Sequence, residues 1–276
     1  MSENKTKPLV SVIMATFNEP PAIIGKAISS IINQTYRNLE LLILDDSTSA
    51  ETINVIDGAL SDGRVQVVRK ETRMGFVPAL NEGIRLAKGK YIARMDGDDF
   101  SLPERIETEV EYMESHPETA VVGACMNIMD ENGTVTGERN YPYNCKKLAM
   151  YRSPVAHPTV MMRAENARNG FSYDEKLKKA EDLDLWLRYM AHGYQIHNLQ
   201  DKVLNYRVPA SLASKRGKEQ FTTAFAVRKN NFSWRYPVFS IASVCAGFLL
   251  SHAPTVLFEK NYNKENLSKV KTYKNK

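Results

Sequence analysis

The stretch Met95-Asp96-Gly97-Asp98-Asp99 places three carboxylates within four residues. Hard oxygen donors this close together suit one hard cation, held directly or through water. On an extended chain residues 96 and 98 project to the same side, so both can face that ion, and Gly97 lets a ligand approach the backbone. Asp45-Asp46 ends a second apolar run, where a carboxylate can accept a hydrogen bond from a nucleobase imide or a ribose hydroxyl. Glu181-Asp182 opens a segment in which Leu183, Trp186, Leu187 and Met190 recur at helical spacing. A carboxylate at a helix N-terminus beside a cleft suits a general base. Each pair also has a plainer use. Ser101 with Glu104 forms a capping box, Ser47, Thr48 or Ser49 can cap a helix near Ala50, and Glu181 and Asp182 complement a helix dipole. Trp186 and its apolar neighbours read as core.

These residues need a frame that delivers them to one place. Leu9 to Ala15 and Leu39 to Leu44 are near-continuous apolar runs, as in strands buried on both faces of a parallel sheet. Helical spacing follows each, and the alternation continues through a helix near Ala50 to Ala59, a strand over 64–69, a helix near Val77 to Ala87 and a strand over 91–95. Such alternation implies βαβ units with right-handed crossovers, hence an α/β fold. Ligands of these sheets bind beyond the carboxyl ends of the strands, which points to Thr16 to Glu19, Asp45 to Thr48 and Asp96 to Asp99. There the metal-binding use of the acidic turn outweighs the capping use. The second half is less regular: a helix from Pro103 to about Glu114, a strand over 120–130, a hairpin turn at ENGTVTG, a strand over 159–163 and a helix from about Asp182 to His192.

The turn after the first strand, Ala15 to Pro21, contains no glycine. Neither the dinucleotide fingerprint nor the phosphate loop is therefore present, which argues against a nicotinamide dehydrogenase or a P-loop kinase. It also argues against a sugar nucleotidyltransferase, which would carry a glycine-rich basic loop there. Without a backbone cradle, the charge of a bound diphosphate calls for a cation held by carboxylates.

Of 276 residues, 43% are hydrophobic and 25% charged, an ordinary globular composition with room for a large core. The net charge of +5 hides an asymmetry: positions 1–200 hold 23 basic and 28 acidic residues, positions 201–276 hold 14 and 4. Cys125, Cys145 and Cys245 are widely spaced and suggest neither disulfides nor zinc, which fits a reducing compartment. The polar start MSENKTKPLV has no signal-peptide apolar region, so a cytoplasmic location is expected. Tyr236 to Phe258 carries no Asp, Glu, Lys or Arg over 23 positions, with basic residues such as Lys215, Arg216, Arg235, Lys260 and Lys264 on both sides. That pattern favours an interfacial helix on the anionic inner leaflet over a true span, with a buried C-terminal helix as the alternative. No nucleic-acid reading motif accompanies the basic tail, so no nucleic-acid partner is expected.

VSVIMATFNE (10–19), SIINQTYRNLELLILDDST (30–48), GFVPALNEGIRLAKGKYIARMDGDD (75–99), VAHPTVMMR (155–163) and AEDLDLWLR (180–188) occur in an order that resembles the family-2 inverting glycosyltransferases of GT-A fold. Bacterial O-antigen, capsule and exopolysaccharide enzymes of amylovoran type are the most similar in flavour. The resemblance implies a GT-A domain over 1–210, with a nucleotide-sugar half (8–100) and an acceptor half (101–210), followed by a C-terminal extension over 211–276. It implies Asp98 as direct ligand of Mn²⁺ or Mg²⁺, with Asp96 near the ribose or the metal's water shell. Asp46 would recognise the base, usually uracil, with Ala15, Thr16 and Glu19 lining the nucleotide pocket and Arg73 near base or phosphate. Asp182 would be the catalytic base, while His157, Arg163 and Glu181 would lie on the acceptor side, His157 having a structural role as its alternative. A nucleotide-sugar donor and a glycan acceptor on a polyprenyl diphosphate are the implied partners. The chain lacks the QxxRW motif and the multiple spans of processive synthases, which implies one transfer per encounter. A non-catalytic nucleotide-sugar-binding module is the rival, and it would bind UDP without release of UDP when acceptor is supplied.

Overall fold

The computed structural model describes residues 7–208 and 218–252. A nine-stranded mixed sheet runs in the order β3-β2-β1-β4-β8-β6-β9-β5, with β7 paired to β6. Its first four strands are β1 (Val10–Thr16), β2 (Leu39–Asp45), β3 (Val65–Val68) and β4 (Tyr91–Asp96), all mutually parallel. The helices between them are α1 (Pro21–Ile32), α2 (Ala50–Gly58) and α3 (Phe76–Leu86). Alternate residues of β1 and β2 feed two cores. Val10, Val12, Met14, Leu41 and Ile43 face Ile24, Ala27 and Ile31 of α1, while Ile13, Leu42 and Leu44 face Val77, Leu80 and Ile84 of α3. Two buried faces explain why these strands read as apolar runs without alternation.

The second half builds outward from β4. Its elements are β5 (Phe100–Ser101), α4 (Arg105–Ser115), β6 (Thr119–Met129), β7 (Val135–Arg139), α5 (Lys146–Ala149), β8 (Met161–Arg163), α6 (Ala164–Arg168), α7 (Glu181–Ala191) and β9 (Gln195–Arg207). The short β8 lies antiparallel between β4 and β6, and β9 runs parallel to β6. The expected capping box at Ser101 and Glu104 does not form. Glu104 precedes α4 without a side-chain cap, and Ser101 is a strand residue paired to Leu204, its N–H donating to Ser30 Oγ. The ENGTVTG hairpin is present, with Gly133 in the left-handed region at φ +88°.

Two further helices follow, α8 (Lys218–Asn230) and α9 (Pro237–His252). At 16 residues α9 is about 24 Å long, short of the ~30 Å hydrocarbon core of a bilayer. Among the described residues no helix is long and apolar enough to cross a membrane. The inward face of α9 is made of Ser240, Ser243, Gly247 and Ser251, whereas Val238, Ile241, Phe248 and Leu249 are 79%, 54%, 49% and 68% exposed. Small residues permit the close approach: a Cβ on Gly247 would stand 3.0 Å from Arg228 Cδ. The apolar segment expected over 236–258 thus carries Val238, Ile241, Phe248 and Leu249 outward, while Phe239 packs inward on the cluster of Ala149, Leu183, Leu187 and Val227. The remainder, with Lys215, Arg216 and the terminal lysines, lies outside the described residues.

Candidate active site

The carboxyl ends of β1, β2 and β4 lie side by side, with Ala15 opposite both Leu44 and Asp96. The sheet order turns here, because β1 sends the chain to β2 on one side while β4 arrives on the other, which opens a crevice. Ala15 and Thr16 form its floor. Thr16 Oγ1 donates to Asp45 Oδ1 at 3.0 Å, and Asp45 also accepts from the Ser47 N–H and from Arg69. Asp45 is therefore consumed in holding the loop. Ser49, among the three hydroxyl residues considered, supplies the cap of α2.

Asp46 points the other way. Its two oxygens accept the Met74 and Gly75 N–H groups at 2.9 and 2.7 Å, and Arg73 Nε stands 3.8 Å away. Gly75 sits at φ +82° to present that N–H, a conformation costly for any other residue. Arg73 lays its guanidinium on the Phe17 ring, 3.5 Å from the centroid. Asp46, Arg73 and Phe17 thus lie together beyond the carboxyl ends of β1 and β2. Asn18, at φ +58°, accepts the Thr48 and Ser49 N–H groups and so ties the β1 and β2 loops together.

The acidic turn occupies the middle. Its carboxylates are gathered by a turn and not by the pleat of an extended chain: β4 ends at Asp96, and Gly97-Asp98 bend. One oxygen from each of Asp96, Asp98 and Asp99 lies within 4.8 Å of the others. Gly97 also lets the turn pack closely, since a Cβ there would stand 3.1 Å from Ile24 Cδ1 and 3.2 Å from Thr16 Cγ2 and Glu19 Cδ. Glu19 consequently packs against the turn. Burial pushes its carboxyl up to about 7, with Asp98 and Asp96 adding to the effect. Asp98 is raised to about 6 by burial and by Asp96. Asp99, 2% exposed, is raised well above the carboxylate range for the same reasons.

Two residues that the sequence did not single out hold this turn. Arg94, buried in β4, grips Asp96 with both guanidinium nitrogens. Arg207, at the end of β9, donates its N–H to Asp99 Oδ1 at 2.8 Å and its Nε to the Asp98 carbonyl at 3.0 Å. Asp99 itself keeps Oδ2 buried and without a partner. A charged residue inside the apolar run YIARM was the available signal for Arg94; Arg207 had none, because β9 has no clean alternation. An orphaned buried carboxylate oxygen, three hard-oxygen donors and raised acid pKa values together fit a divalent cation.

The start of α7 faces the turn. Ala180, in the left-handed region at φ +60°, swings the chain into the helix, and Glu181 follows at once. Strain of this kind costs about 1–2 kcal/mol in a non-glycine residue and collects at functional sites. Burial raises Glu181 to about 7, Asp182 contributes next, and Asp96 and Arg94 are near enough to be felt. Asp182 Oδ2 accepts from Ser153 Oγ at 2.8 Å. His157 Nε2 pairs with the Tyr173 hydroxyl at 2.7 Å, among the rings of Phe76 and Trp186, and burial together with Arg94 holds its pKa well below the usual histidine value. Trp186 is fully buried, as expected.

Arg163 does not belong to this site. It ends β8 opposite Tyr91, at the far end of β4 from Asp96, and donates to the carbonyls of Thr119, Met113 and His116. It closes the C-terminus of α4. Its place in an antiparallel strand, which the sequence read without direction, sends it away from the cleft.

Residues 11–169 match the profile of glycosyl transferase family 2. The chain belongs to that family. This glycosyltransferase is 33% identical over 207 residues to the O-antigen biosynthesis glycosyltransferase WbnJ of Escherichia coli, covering 72% of this chain and 80% of that one. It is 31% identical over 212 residues to the amylovoran biosynthesis glycosyltransferase AmsE of Erwinia amylovora, covering 75% and 79%. It is 29% identical over 214 residues to the Escherichia coli UDP-Glc:alpha-D-GlcNAc-diphosphoundecaprenol beta-1,3-glucosyltransferase WfaP, covering 76% and 82%. Among solved structures, the glycosyltransferase superposes on S. aureus TarS 1-349 in complex with UDP-GlcNAc with a TM-score of 0.68 at 17% identity, over 95% of this chain and 76% of that one. The mannosyltransferase PcManGT of Pyrobaculum calidifontis, in complex with GDP-Man and Mn²⁺, gives 0.65 at 15% identity, over 95% and 85%. Both share the GT-A fold.

Proposed function

We propose that this glycosyltransferase moves one sugar from a UDP-sugar to a hydroxyl of a glycan carried on a polyprenyl diphosphate, with inversion, in bacterial surface polysaccharide synthesis. The observation that carries the reading is the carboxylate turn at Asp96, Asp98 and Asp99, with its orphaned buried oxygen, facing the α7 start that bears Asp182. The name of WfaP supports the acceptor, and those of WbnJ and AmsE support the pathway class. The 8–100 half supplies the donor pocket and the 101–210 half the acceptor wall.

Asp98, with Asp96 and Asp99, would hold Mn²⁺ or Mg²⁺, which neutralises the charge growing on the departing nucleoside diphosphate. Ala15, Thr16 and Glu19 line the nucleotide, and Asp46 with Arg73 and Phe17 takes the base end. Asp182, oriented by Ser153, removes the proton of the acceptor hydroxyl as its oxygen bonds to the anomeric carbon. The bond from that carbon to the β-phosphate oxygen breaks on the opposite face, so an α-linked donor yields a β-linkage. Glu181 keeps its proton near neutrality and can donate a hydrogen bond to the sugar. His157, neutral and fixed by Tyr173, completes the acceptor wall.

The outward apolar face of α9 and the basic tail support attachment to the anionic inner leaflet, where such an acceptor resides. The deciding experiment supplies a panel of nucleotide sugars and a lipid-diphosphate glycan. Asp182→Asn should retain UDP binding and lose about 10²–10⁴-fold in turnover, the usual worth of a general base. Near-normal turnover by that variant at saturating acceptor refutes the assignment.

A further inference from the structure

A groove of about 790 Å³ opens between α5 and the start of α9, away from the carboxylate turn. Lys146, Lys147 and Arg235 line it, and among the described residues no acidic one does. Its walls are apolar, formed by Met150, Val238, Phe239 and Ala242 among others. Lys146 Nζ lies over the Tyr236 ring, 4.0 Å from the centroid, and Arg235 Nε donates to the Tyr236 hydroxyl. Lys146 and Arg235 are thus held beside the mouth by Tyr236, and among the described residues no carboxylate pairs with either.

The groove connects two features already described. On one side Val238 continues into the outward apolar face of α9. On the other, Phe239 packs against the cluster of Ala149, Leu183, Leu187 and Val227, under the first turns of the helix that bears Asp182. The loop after α5 carries Ser153, which bonds Asp182, and Met150, whose carbonyl accepts from Arg228. One amphiphile matches this layout: an apolar chain in the trough, a multiply charged anion on three cations, and its far end at the acceptor side of the cleft.

We infer that the α5–α9 groove seats the isoprenoid diphosphate of a lipid-linked acceptor, the chain against Val238, Phe239 and Ala242 and the diphosphate on Lys146, Lys147 and Arg235. The inference rests on the acceptor class proposed above and assigns it a place. Three cations around a diphosphate gain from charge-assisted hydrogen bonds, and the apolar walls give affinity that a water-soluble sugar phosphate would lack.

Isothermal titration of the full chain with farnesyl diphosphate, at saturating UDP and Mn²⁺ so that the nucleotide site is filled, tests this. Saturable binding is expected, with farnesol and inorganic diphosphate each at least tenfold weaker. Lys147→Glu/Arg235→Glu and, separately, the uncharged Ala242→Trp should each weaken farnesyl diphosphate at least tenfold, while Lys147→Arg retains it. UDP affinity of the same samples reports on their folding and on the donor site. Unchanged farnesyl diphosphate affinity in both weakening variants overturns the inference, as does absence of binding by a wild-type protein that still binds UDP. Loss of sedimentation with phosphatidylglycerol vesicles at unchanged farnesyl diphosphate affinity also overturns it, since the groove would then read bilayer head groups. A protein that takes farnesyl diphosphate but no nucleotide contradicts the transferase proposal and leaves the groove assignment standing.

Discussion

Replacing Glu181 with glutamine should make the protein more stable above neutral pH and leave it unchanged in acid. Burial, then Asp182 and Asp96, lift this carboxyl from 4.5 to about 7, against the opposing pull of Arg94. Between those two values the folded chain holds a proton that the unfolded chain has released, so stability falls as pH rises through the window. At about 1.4 kcal/mol per decade the displacement is worth about 3 kcal/mol at full burial, and about 2 kcal/mol after allowance for the solvent that still reaches the side chain. Glutamine has nearly the same shape and no charge to lose. At pH 8 the variant should therefore exceed wild type by about 2 kcal/mol, or roughly 1 M in urea midpoint for an m-value near 2 kcal/mol/M, and at pH 4.5 the two should coincide. The assay is urea unfolding followed by fluorescence, in EDTA, at half-unit steps from pH 4.5 to 8.5. Glu19 and Asp98 titrate identically in both proteins, so only the difference between the two curves carries the signal. Parallel curves would refute the claim that Glu181 is held protonated against the neighbouring acids.

Two other substitutions separate structure from function. Asp99→Asn keeps the acceptor for the Arg207 N–H while removing a carboxyl that burial, Asp96 and Asp98 hold well above the carboxylate range; it should weaken Mn²⁺-dependent UDP binding by about 10–100-fold and, in EDTA, flatten the fall of melting temperature as pH rises through that raised range, read by calorimetry. Arg163→Met should cost about 2–4 kcal/mol in urea unfolding, because three carbonyls around the end of α4 lose a cationic donor, and should leave the acceptor KM of the folded fraction unaltered. A raised acceptor KM at unchanged stability would return Arg163 to the cleft.

The amino-acid sequence by itself determined the first half. Apolar runs ending in acidic or polar turns locate β1, β2 and β4, because strands buried on both faces leave no choice of residue, and the binding edge follows from their common direction. The carboxylates at 46, 96, 98 and 181–182 could be picked out for the same reason: charge at the end of a buried strand or the start of an apolar helix has few structural uses. What tertiary structure alone decided lies in long-range partnerships. Arg207 on Asp99 and Ser153 on Asp182 join residues 108 and 29 positions apart, and no local periodicity encodes them. Ser101 became a strand residue because Leu204 paired with it, overriding a sound capping signal. Arg163 left the site because β8 runs antiparallel, and strand direction is set by neighbours and not by the three residues of the strand itself. The outward apolar face of α9 is likewise a tertiary result: its serines and glycine allow close packing on α8, and that contact fixes which side of an almost uniformly apolar helix meets solvent.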